Sequence, residues 1–396
     1  MNRYICLLII SSQLAASNLQ AQKGMPAKEI VTASITTHFP QHVAFKEEMV
    51  NQLKLPAGFK AEVAATGLGK PRMMATTEDG SVYVTRRDQG DVLFLKDTDN
   101  DGRFDEMKTV IVKFPGVHGI AIHNKFLYLC NNRELKRGSI KEDGTIENVK
   151  PLLNDLPDGG QHGNRTIAFG PDGMLYITVG STCNDCFDSN PQNATILRAN
   201  ADGTGRKIYA RGLRNTIGID WHPQTKDLWG ADNGADYKGD DWPKEELNKI
   251  IEEGDYGWPV VYEDRKVDQT REDPPGTTKE EYAKHTQPAV MTFPAHGAPI
   301  NLIFLSKTTF PEEYKDDALV TLHGSWNRKE PKGYMIKRVR FENGTPVAVE
   351  DFLSGFLSKD GNSRFGRPAG LAISPKGEVY LSDDVNGVIY RITTSK

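Results

Sequence analysis

Four of the nine histidines in this chain stand directly before a glycine. An imidazole titrates near neutral pH, so a histidine can accept a proton from a bound molecule and release it again. Each of these residues could instead cap a strand or fill a loop, but four at equivalent places favour one shared site. They are His118, His162, His296 and His323.

Arginines recur in similar glycine-rich segments. A guanidinium is a fixed positive charge with a fork of donors that suits carboxylates and phosphates. A cluster of arginines therefore predicts an anionic small ligand, although ion pairs between structural units would use the same residue type. The arginines are Arg165, Arg214, Arg328 and Arg367.

Two acidic segments could bind cations. Residues 231–241 hold four aspartates and one asparagine, and carboxylate and carbonyl oxygens are the ligands that Ca²⁺ prefers. We expect a cation in this loop. Residues 97–106 imitate the start of an EF-hand loop, but Lys108 stands at the twelfth position, where such a loop needs a glutamate. This segment is predicted to be a turn between strands, with a weak structural Ca²⁺ as the alternative.

The cysteines indicate an oxidising compartment. Cys183 and Cys186 form a CxxC pair without a second pair at zinc-ribbon spacing, so we predict a disulfide rather than a zinc site. Redox exchange is the less favoured alternative, since no thioredoxin-like pattern surrounds the pair. Cys130 is expected to be a buried free thiol.

An internal repeat organises the chain that carries these residues. In each copy an apolar run leads through a turn with glycine or proline into an alternating strand, and the copies are spaced about 45 to 85 residues apart. The repeat predicts an all-β fold, a six-bladed β-propeller with four-stranded antiparallel blades over residues 53–396 and insertions around 232–295. The copies begin at Met73, Gly119, Thr166, Ile217, Asn301 and Ala369.

One segment has a helical pattern. Pro243 stands near a possible helix start, acidic residues follow it, and Gly254 would lie beyond the end, so a helix is predicted within residues 242–254. The polar stretch 263–287 is predicted to be a surface loop or cover.

The charge balance indicates which partners are excluded, and the first residues indicate the compartment. Lys and Arg number 49 against 53 Asp and Glu, which argues against a nucleic-acid binder. Residues 1–21 have the pattern of a secretory signal peptide, and 22–52 that of a linker or arm. No later stretch approaches the roughly 18 apolar residues of a membrane span. We expect a periplasmic or secreted protein.

These loops together resemble the soluble quinoprotein sugar dehydrogenases, particularly the sorbosone and pyranose dehydrogenase branch, which binds pyrroloquinoline quinone (PQQ). The resemblance runs from about residue 55 to the end. The segments that carry it are GVHGIAI, GGQHGNRTIAFGPDG, GLRNTIGIDWHP, NGADYKGDDWPKEELN, GDYGWP, AHGAP, HGSWNR, FGRPAGLAISPKG and VYLSDD.

The resemblance implies a propeller with PQQ across the top of its channel, a Ca²⁺ against the quinone, and oxidation of a sugar hydroxyl or hydrated aldehyde. His162 would be the general base while hydride passes to the quinone, with Arg214 beside it in the catalytic site. Main-chain oxygens of Gly234 and Ala235 would bind Ca²⁺, within a loop that includes Asn233 and Asp236. The implied PQQ-binding residues are His118, Arg165, Arg214, Asn215, His296, His323, Trp326, Arg328 and Arg367.

Two departures from the glucose-oxidising branch argue against glucose as the substrate. Gly180 is followed by Ser181 where that branch has an acidic residue that orients the base, so orientation must come from elsewhere, with Asn164 or the loop at Cys183 as candidates. Ala235 stands where that branch has proline.

Two alternative functions remain at this stage. A Ca²⁺-dependent propeller lactonase would also use central Asp and Asn loops, but would leave the arginines unexplained. A non-catalytic propeller that binds glycan or protein is compatible with the fold alone. For the dehydrogenase, the expected partners are a sugar or polyol substrate and an electron acceptor such as a cytochrome c or a quinone.

Overall fold

A computed structural model describes residues 36–394, in which strands dominate. The first fifteen strands are β1 (Gln41–His42), β2 (Phe59–Ala65), β3 (Met74–Thr76), β4 (Val82–Arg86), β5 (Asp91–Lys96), β6 (Glu106–Ile111), β7 (Gly119–His123), β8 (Phe126–Cys130), β9 (Leu135–Ile140), β10 (Ile146–Leu153), β11 (Ile167–Phe169), β12 (Leu175–Val179), β13 (Thr195–Ala199), β14 (Lys207–Arg211) and β15 (Thr216–Trp221).

The remaining strands are β16 (Leu228–Asp232), β17 (Glu245–Ile250), β18 (Gly254–Asp255), β19 (Val261–Tyr262), β20 (Lys266–Val267), β21 (Met291–Phe293), β22 (Pro299–Phe304), β23 (Ala318–Leu322), β24 (Met335–Glu342), β25 (Thr345–Leu353), β26 (Ser363–Arg364), β27 (Pro368–Ile373), β28 (Val379–Asp383) and β29 (Val388–Thr394). The helix α1 spans Lys279–Lys284, and 3₁₀ turns span Glu47–Gln52 and Glu312–Tyr314.

Six antiparallel sheets form the blades of a β-propeller, which confirms the predicted fold. Blade one is β3–β6, blade two β7–β10, blade three β11–β14, blade four β15, β16, β17 and β21, and blade five β22–β25. Blade six combines β27, β28 and β29 with β2. The short β18 extends blade three by pairing in parallel with β14.

The sixth blade joins the two ends of the described chain. Strand β2 pairs antiparallel with β29, so that Phe59 lies opposite Thr394 and Val63 opposite Tyr390. Before β2, strand β1 pairs in parallel with β26. The predicted arm thus contributes a short strand and a 3₁₀ turn over its described part, while the predicted signal peptide lies outside the described residues.

Apolar side chains fill each gap between neighbouring blades. Six clusters correspond to the six gaps. Tyr83 and Leu129 lie in the gap between blades one and two, and Trp229 and Val320 in the gap between blades four and five, all at most 2% exposed. The core is therefore distributed around the ring, and each blade is stabilised by both of its neighbours.

The helix predicted for residues 242–254 is wrong. Residues 245–250 form β17, the third strand of blade four, which pairs with β16 on one side and β21 on the other. Leu247 packs in the gap towards blade five, and Ile250 in the gap towards blade three. Burial on both faces of the blade thus overrode the helical propensity of the Glu and Lys residues.

The insertion after blade four's third strand is more structured than the predicted surface loop. It contains the hairpin β19–β20 and helix α1, where the Thr278 hydroxyl caps the first turn by accepting from the Glu281 amide at 3.2 Å. Ala283 of α1 packs against Val260 and Val261. The segment covers a small apolar cluster.

Among residues 36–394, no helix is long and apolar enough to cross a membrane.

The innermost strands approach each other so closely that side chains do not fit at some positions. A Cβ atom at Gly370 of β27 would lie 2.2 Å from the carbonyl oxygen of Arg72, whereas one at Gly163 would meet its nearest neighbour at 3.6 Å. We predict that Gly370→Ala lowers the free energy of unfolding by about 1–3 kcal/mol, because backbone must move. Chemical denaturation of both variants tests this, with Gly163→Ala close to wild type. Equal stability of the two variants would contradict it.

Candidate active site

Loops from blades three, four and five enclose a cavity of about 360 Å³. Many of the residues singled out in the sequence meet here although they are far apart along the chain. The cavity is lined by Gln161, His162, Asn184, Arg214, Asn215, Asn233, Gly234, Asp236, Tyr237, Glu245, His296, Ala298, Trp326 and Asn327. Six other predicted site residues do not line it: His118, Arg165, Ala235, His323, Arg328 and Arg367.

His162 is held in one orientation by Ser181. The His162 Nδ1 lies 2.8 Å from the Ser181 carbonyl oxygen and 2.9 Å from the Ser181 hydroxyl oxygen. The Ser181 hydroxyl donates to the carbonyl oxygen of Cys183 at 2.7 Å. Because a carbonyl only accepts, Nδ1 carries the proton and Nε2 keeps its lone pair. Of the two predicted sources of orientation, the Cys183 loop takes part through Ser181.

The charge state of His162 follows from its surroundings. Burial, together with the positive charges of Arg214 and Arg165, lowers the pKa of His162 to about 4, although the hydrogen bond to Ser181 opposes the shift. The imidazole is therefore neutral at neutral pH. A neutral imidazole with a free Nε2 can accept a proton from a molecule in the cavity.

Arg165 forms hydrogen bonds to the backbone of the loop that contains His162. Its guanidinium is fully buried and donates to the carbonyl oxygens of His162 at 2.9 Å and Pro157 at 2.9 Å, and to Asn132 Oδ1 at 3.0 Å. The guanidinium therefore bonds to protein atoms and does not face the cavity. Arg165 stabilises the backbone of the loop that carries the predicted base, His162.

Arg214 is the cation that reaches the cavity. Its side chain is buried, and it donates from Nε to the Asn184 carbonyl oxygen at 2.8 Å and from Nη2 to the Asn184 side-chain oxygen at 2.8 Å. Asn184 lies between Cys183 and Cys186, whose sulfurs form the predicted disulfide. The disulfide loop therefore positions Arg214. Cys130 is a buried free thiol, as predicted.

The acidic loop supplies oxygen atoms next to Arg214, since Asp236 Oδ2 lies 3.5 Å from Arg214 Nη2. Asp236 Oδ1 accepts from the Asn327 side chain at 2.5 Å. Glu245 is 2% exposed and accepts from the amides of Gly234 at 2.6 Å and Ala298 at 3.0 Å. Burial and the charge of Asp236 raise the pKa of Glu245 to about 8, although its two backbone hydrogen bonds and Arg214 oppose the shift. A cation beside Glu245 would offset the cost of keeping its carboxylate buried and charged.

The other members of the predicted cation set differ in their surroundings. Ala235 is fully buried and packs against Trp258 and Tyr262. The Asn233 side-chain nitrogen donates to the carbonyl oxygens of Asn215 at 3.0 Å and Pro299 at 2.9 Å. These contacts hold the backbone of the acidic loop in place.

A second polar cluster lies outside the cavity lining, next to the loop of residues 323–328. His323 Nε2 donates to Asp384 Oδ1 at 2.8 Å, and Arg72 also pairs with Asp384. Although burial opposes it, His323, Arg72 and Arg367 hold the pKa of Asp384 far below its usual range. Arg367 donates to the carbonyl oxygens of His323 and Gly324.

His118 belongs to the same region and lacks partners. It is fully buried, and neither ring nitrogen has a hydrogen-bond partner among residues 36–394. Arg72, Arg87 and Arg165 lie close enough to reinforce the lowering of its pKa by burial. A buried imidazole without a partner can receive or donate a hydrogen bond once a ligand arrives.

Aromatic rings stand at the cavity mouth. Trp326 stacks on Phe39 with ring centroids 5.7 Å apart, and Tyr237 meets Trp326 edge to face at 5.5 Å. The His38 amide donates to the Trp326 carbonyl oxygen at 2.8 Å, which ties the arm to this loop. Sequence analysis identified Trp326 but not Phe39 or Tyr237.

Two further cavity residues, Asn184 and Glu245, were not predicted because their sequence context does not mark them as site residues. Asn184 is one asparagine among several, and only its place inside the CxxC pair set it apart. Glu245 was assigned to the wrongly predicted helix, in which its side chain could not be placed against the acidic loop.

The acidic run at residues 97–106 connects β5 to β6, as predicted for a turn between strands. Asp97, Asp99 and Asp105 each offer a carboxylate oxygen within 4.8 Å of the others. The weak Ca²⁺ at this turn stays a prediction.

Known proteins share this fold and sequence pattern. The family model for Glucose / Sorbosone dehydrogenase matches residues 68–391. An uncharacterized protein of Borreliella burgdorferi is 30% identical over 370 residues, covering 88% of this chain and 93% of that protein. Quinoprotein glucose dehydrogenase B of Acinetobacter calcoaceticus is 25% identical over 259 residues, covering 51% of this chain and 53% of that enzyme.

A solved structure agrees at the level of the fold. The holo form of the pyranose dehydrogenase PQQ domain from Coprinopsis cinerea superposes with a TM-score of 0.74 at 21% identity, covering 90% of this chain and all of that domain. The resemblance to the quinoprotein sugar dehydrogenases is thereby confirmed. Since the family model spans most of the propeller, the chain belongs to the glucose and sorbosone dehydrogenase family.

Proposed function

We propose that this protein oxidises a sugar hydroxyl or hydrated aldehyde, with PQQ as oxidant, Ca²⁺ beside it and His162 as general base. The observation that carries the proposal is the neutral imidazole of His162, whose Nε2 is free beside the buried Arg214 in the cavity. The substrate hydroxyl would give its proton to this nitrogen. When bound, PQQ supplies an acceptor for the hydride from the substrate carbon, and Ca²⁺ polarises the quinone carbonyl.

The donor set suits an anionic quinone. Arg214 and Asn215 line the cavity and would hold the polar edge of PQQ, whereas Arg328 and Arg367 stand outside the lining and add positive charge to the surroundings. Both ring nitrogens of His118 are buried without a hydrogen-bond partner in the described chain, so one of them could bond to the cofactor. Trp326 offers an aromatic face at the mouth. The family and the quinoprotein name of the Acinetobacter relative support this assignment over a lactonase or a non-catalytic propeller.

The part of the cavity formed by Gly234, Asp236 and Glu245, which we call the acidic wall, has a composition that suits Ca²⁺. Gly234, Asp236 and Glu245 line the same cavity and present carbonyl and carboxylate oxygens, which are the ligands of a hard cation. The buried Glu245 accepts the amides of Gly234 and Ala298 and so fixes the backbone of the loop. A bound cation would favour its ionised form.

We further propose that the enzyme works in the periplasm or is secreted, and that it passes electrons to a cytochrome c or a quinone. The pattern of residues 1–21 and the disulfide between Cys183 and Cys186 support the compartment, because disulfides persist in oxidising surroundings.

Removal of the base tests the proposed chemistry. In the presence of Ca²⁺ and PQQ, we expect His162→Ala to bind PQQ but to reduce it with aldoses about 10²- to 10⁴-fold more slowly than wild type. Absorbance of the quinone follows the reaction. His285→Ala, which changes an exposed histidine after α1, is the control and should keep the wild-type rate. Failure of the wild-type protein to bind PQQ saturably would refute the proposal.

The charge of Arg214 should be visible in the titration of His162. In the ligand-free protein we expect the His162 imidazole to stay neutral down to about pH 5, and Arg214→Gln to raise its pKa towards 6.5. Imidazole ¹⁵N chemical shifts measure both. Since the unfolded state binds the extra proton between pH 6.5 and 4, acidification through this range should also destabilise the fold. Titration of His162 near 6.5 in wild type would contradict the prediction.

The acidic wall makes a prediction about metal affinity. Asp236→Asn removes one charge from the cavity, so we expect Ca²⁺ to bind at least about tenfold more weakly, by calorimetric titration in the presence of PQQ. Asp264→Asn makes the same change in charge at an exposed position between β19 and β20, and should leave the affinity unchanged. An equal effect of both variants would mean that only net charge matters.

A further inference from the structure

A second cavity, which we call the arm pocket, lies between the N-terminal arm and the loops of blades five and six. Its volume is about 540 Å³, larger than the cavity at His162. Met49 and Lys54 contribute from the arm side, and residues 333–335, 354–359 and 363–365 from the blades. None of the active-site residues discussed above lines it.

The wall of the arm pocket is apolar. Tyr334, Phe356 and Phe365 are at most 5% exposed and belong to the cluster between blades five and six. Met49 and Leu357 pack against the same cluster as partly buried side chains. The partly buried Met49 and Leu357 supply the apolar surface that would lose contact with water if an apolar group entered.

The charges around the arm pocket all have one sign. Lys54, Lys359 and Arg364 line it, and no carboxylate does, although the chain as a whole carries a net charge of −4. None of the three has an ion-pair partner among residues 36–394. The adjacent Asp360 directs its carboxylate into its own turn, where it accepts from Ser358 and Asn362.

Arg364 is the least exposed of the three positive charges that line the arm pocket. Its backbone is fixed by the pairing of β26 with β1, and its guanidinium carbon lies 5.9 Å from the centre of the Tyr334 ring. The Nη1 atom is buried and has no hydrogen-bond partner within the described chain. A buried cationic donor without an acceptor is unfavourable, and a carboxylate would satisfy it.

We infer that the arm pocket binds a small carboxylate with an apolar body. The carboxylate pairs with Arg364, with Lys54 and Lys359 adding charge at the rim. The apolar body lies on Met49 and Leu357, which pack against the cluster of Phe356 and Phe365. A sugar acid has the carboxylate but not the apolar body, and therefore fits poorly. The charge and apolar surface together select the ligand, since either alone is common on proteins.

Calorimetric titration of the full protein tests this inference. The probes are decanoate, below its micelle concentration, and 4-phenylbutyrate, whose relative affinities distinguish an acyl from an aryl body. Decyltrimethylammonium and gluconate are the matched probes that lack the negative charge and the apolar body. We expect one decanoate or phenylbutyrate per chain, and at least tenfold weaker binding of both matched probes.

Variants locate the binding to the arm pocket. Arg364→Gln should weaken binding of the carboxylate at least tenfold, whereas Arg340→Gln, at a partly exposed arginine of β24, should not change it. If Arg364→Gln does not fold, the exposed pair Lys54→Gln and Lys359→Gln should still weaken binding several-fold. Binding that is absent, that is equal for decyltrimethylammonium, or that is unchanged in these pocket variants overturns the inference.

Discussion

Each strand in the middle of a blade is buried on both faces, and this constraint determines the rest of the molecule. In β12, Leu175 and Ile177 pack in the gap towards blade two, while Tyr176 packs towards blade four. No blade can shift without disturbing two apolar clusters. The strand ends are therefore fixed in space, and loops that are remote in sequence can form one cavity.

Within that frame, polar side chains that bond to backbone fix the loops themselves. Arg165 holds the carbonyl of His162, and Asn193 holds those of Asp158 at 2.8 Å and Gly180 at 3.0 Å. The imidazole is then oriented by a carbonyl instead of a carboxylate. Because no negative charge stands behind it, burial and the nearby arginines keep the imidazole neutral.

The repeat made the fold predictable, since its alternating strands and turns recur in all six blades. The site was predictable only in part. His118, His162 and His296 precede the first strand of a blade, and His323 follows the second strand of blade five. Of these four, His162 and His296 line the cavity whereas His118 and His323 do not. The long insertions in blades three and four determine which of these loops come together at the cavity. The sequence around each histidine does not show which loops these are.

The wrong helix has the same origin. Glu, Lys and Leu at residues 245–250 favour a helix locally, and only the neighbours in blades three and five show why a strand is more stable there. Glu245 consequently became recognisable as a cavity residue only in the folded chain.

The closure of blade six has a kinetic consequence. The partners Phe59 and Thr394 are separated by 335 residues (394 − 59), so their pairing closes a very long loop and is expected to come late in folding. Until β29 is available, β2 has an open edge, and such edges readily pair with other chains. During synthesis, this propeller is therefore exposed to misassembly until the last strand has been made.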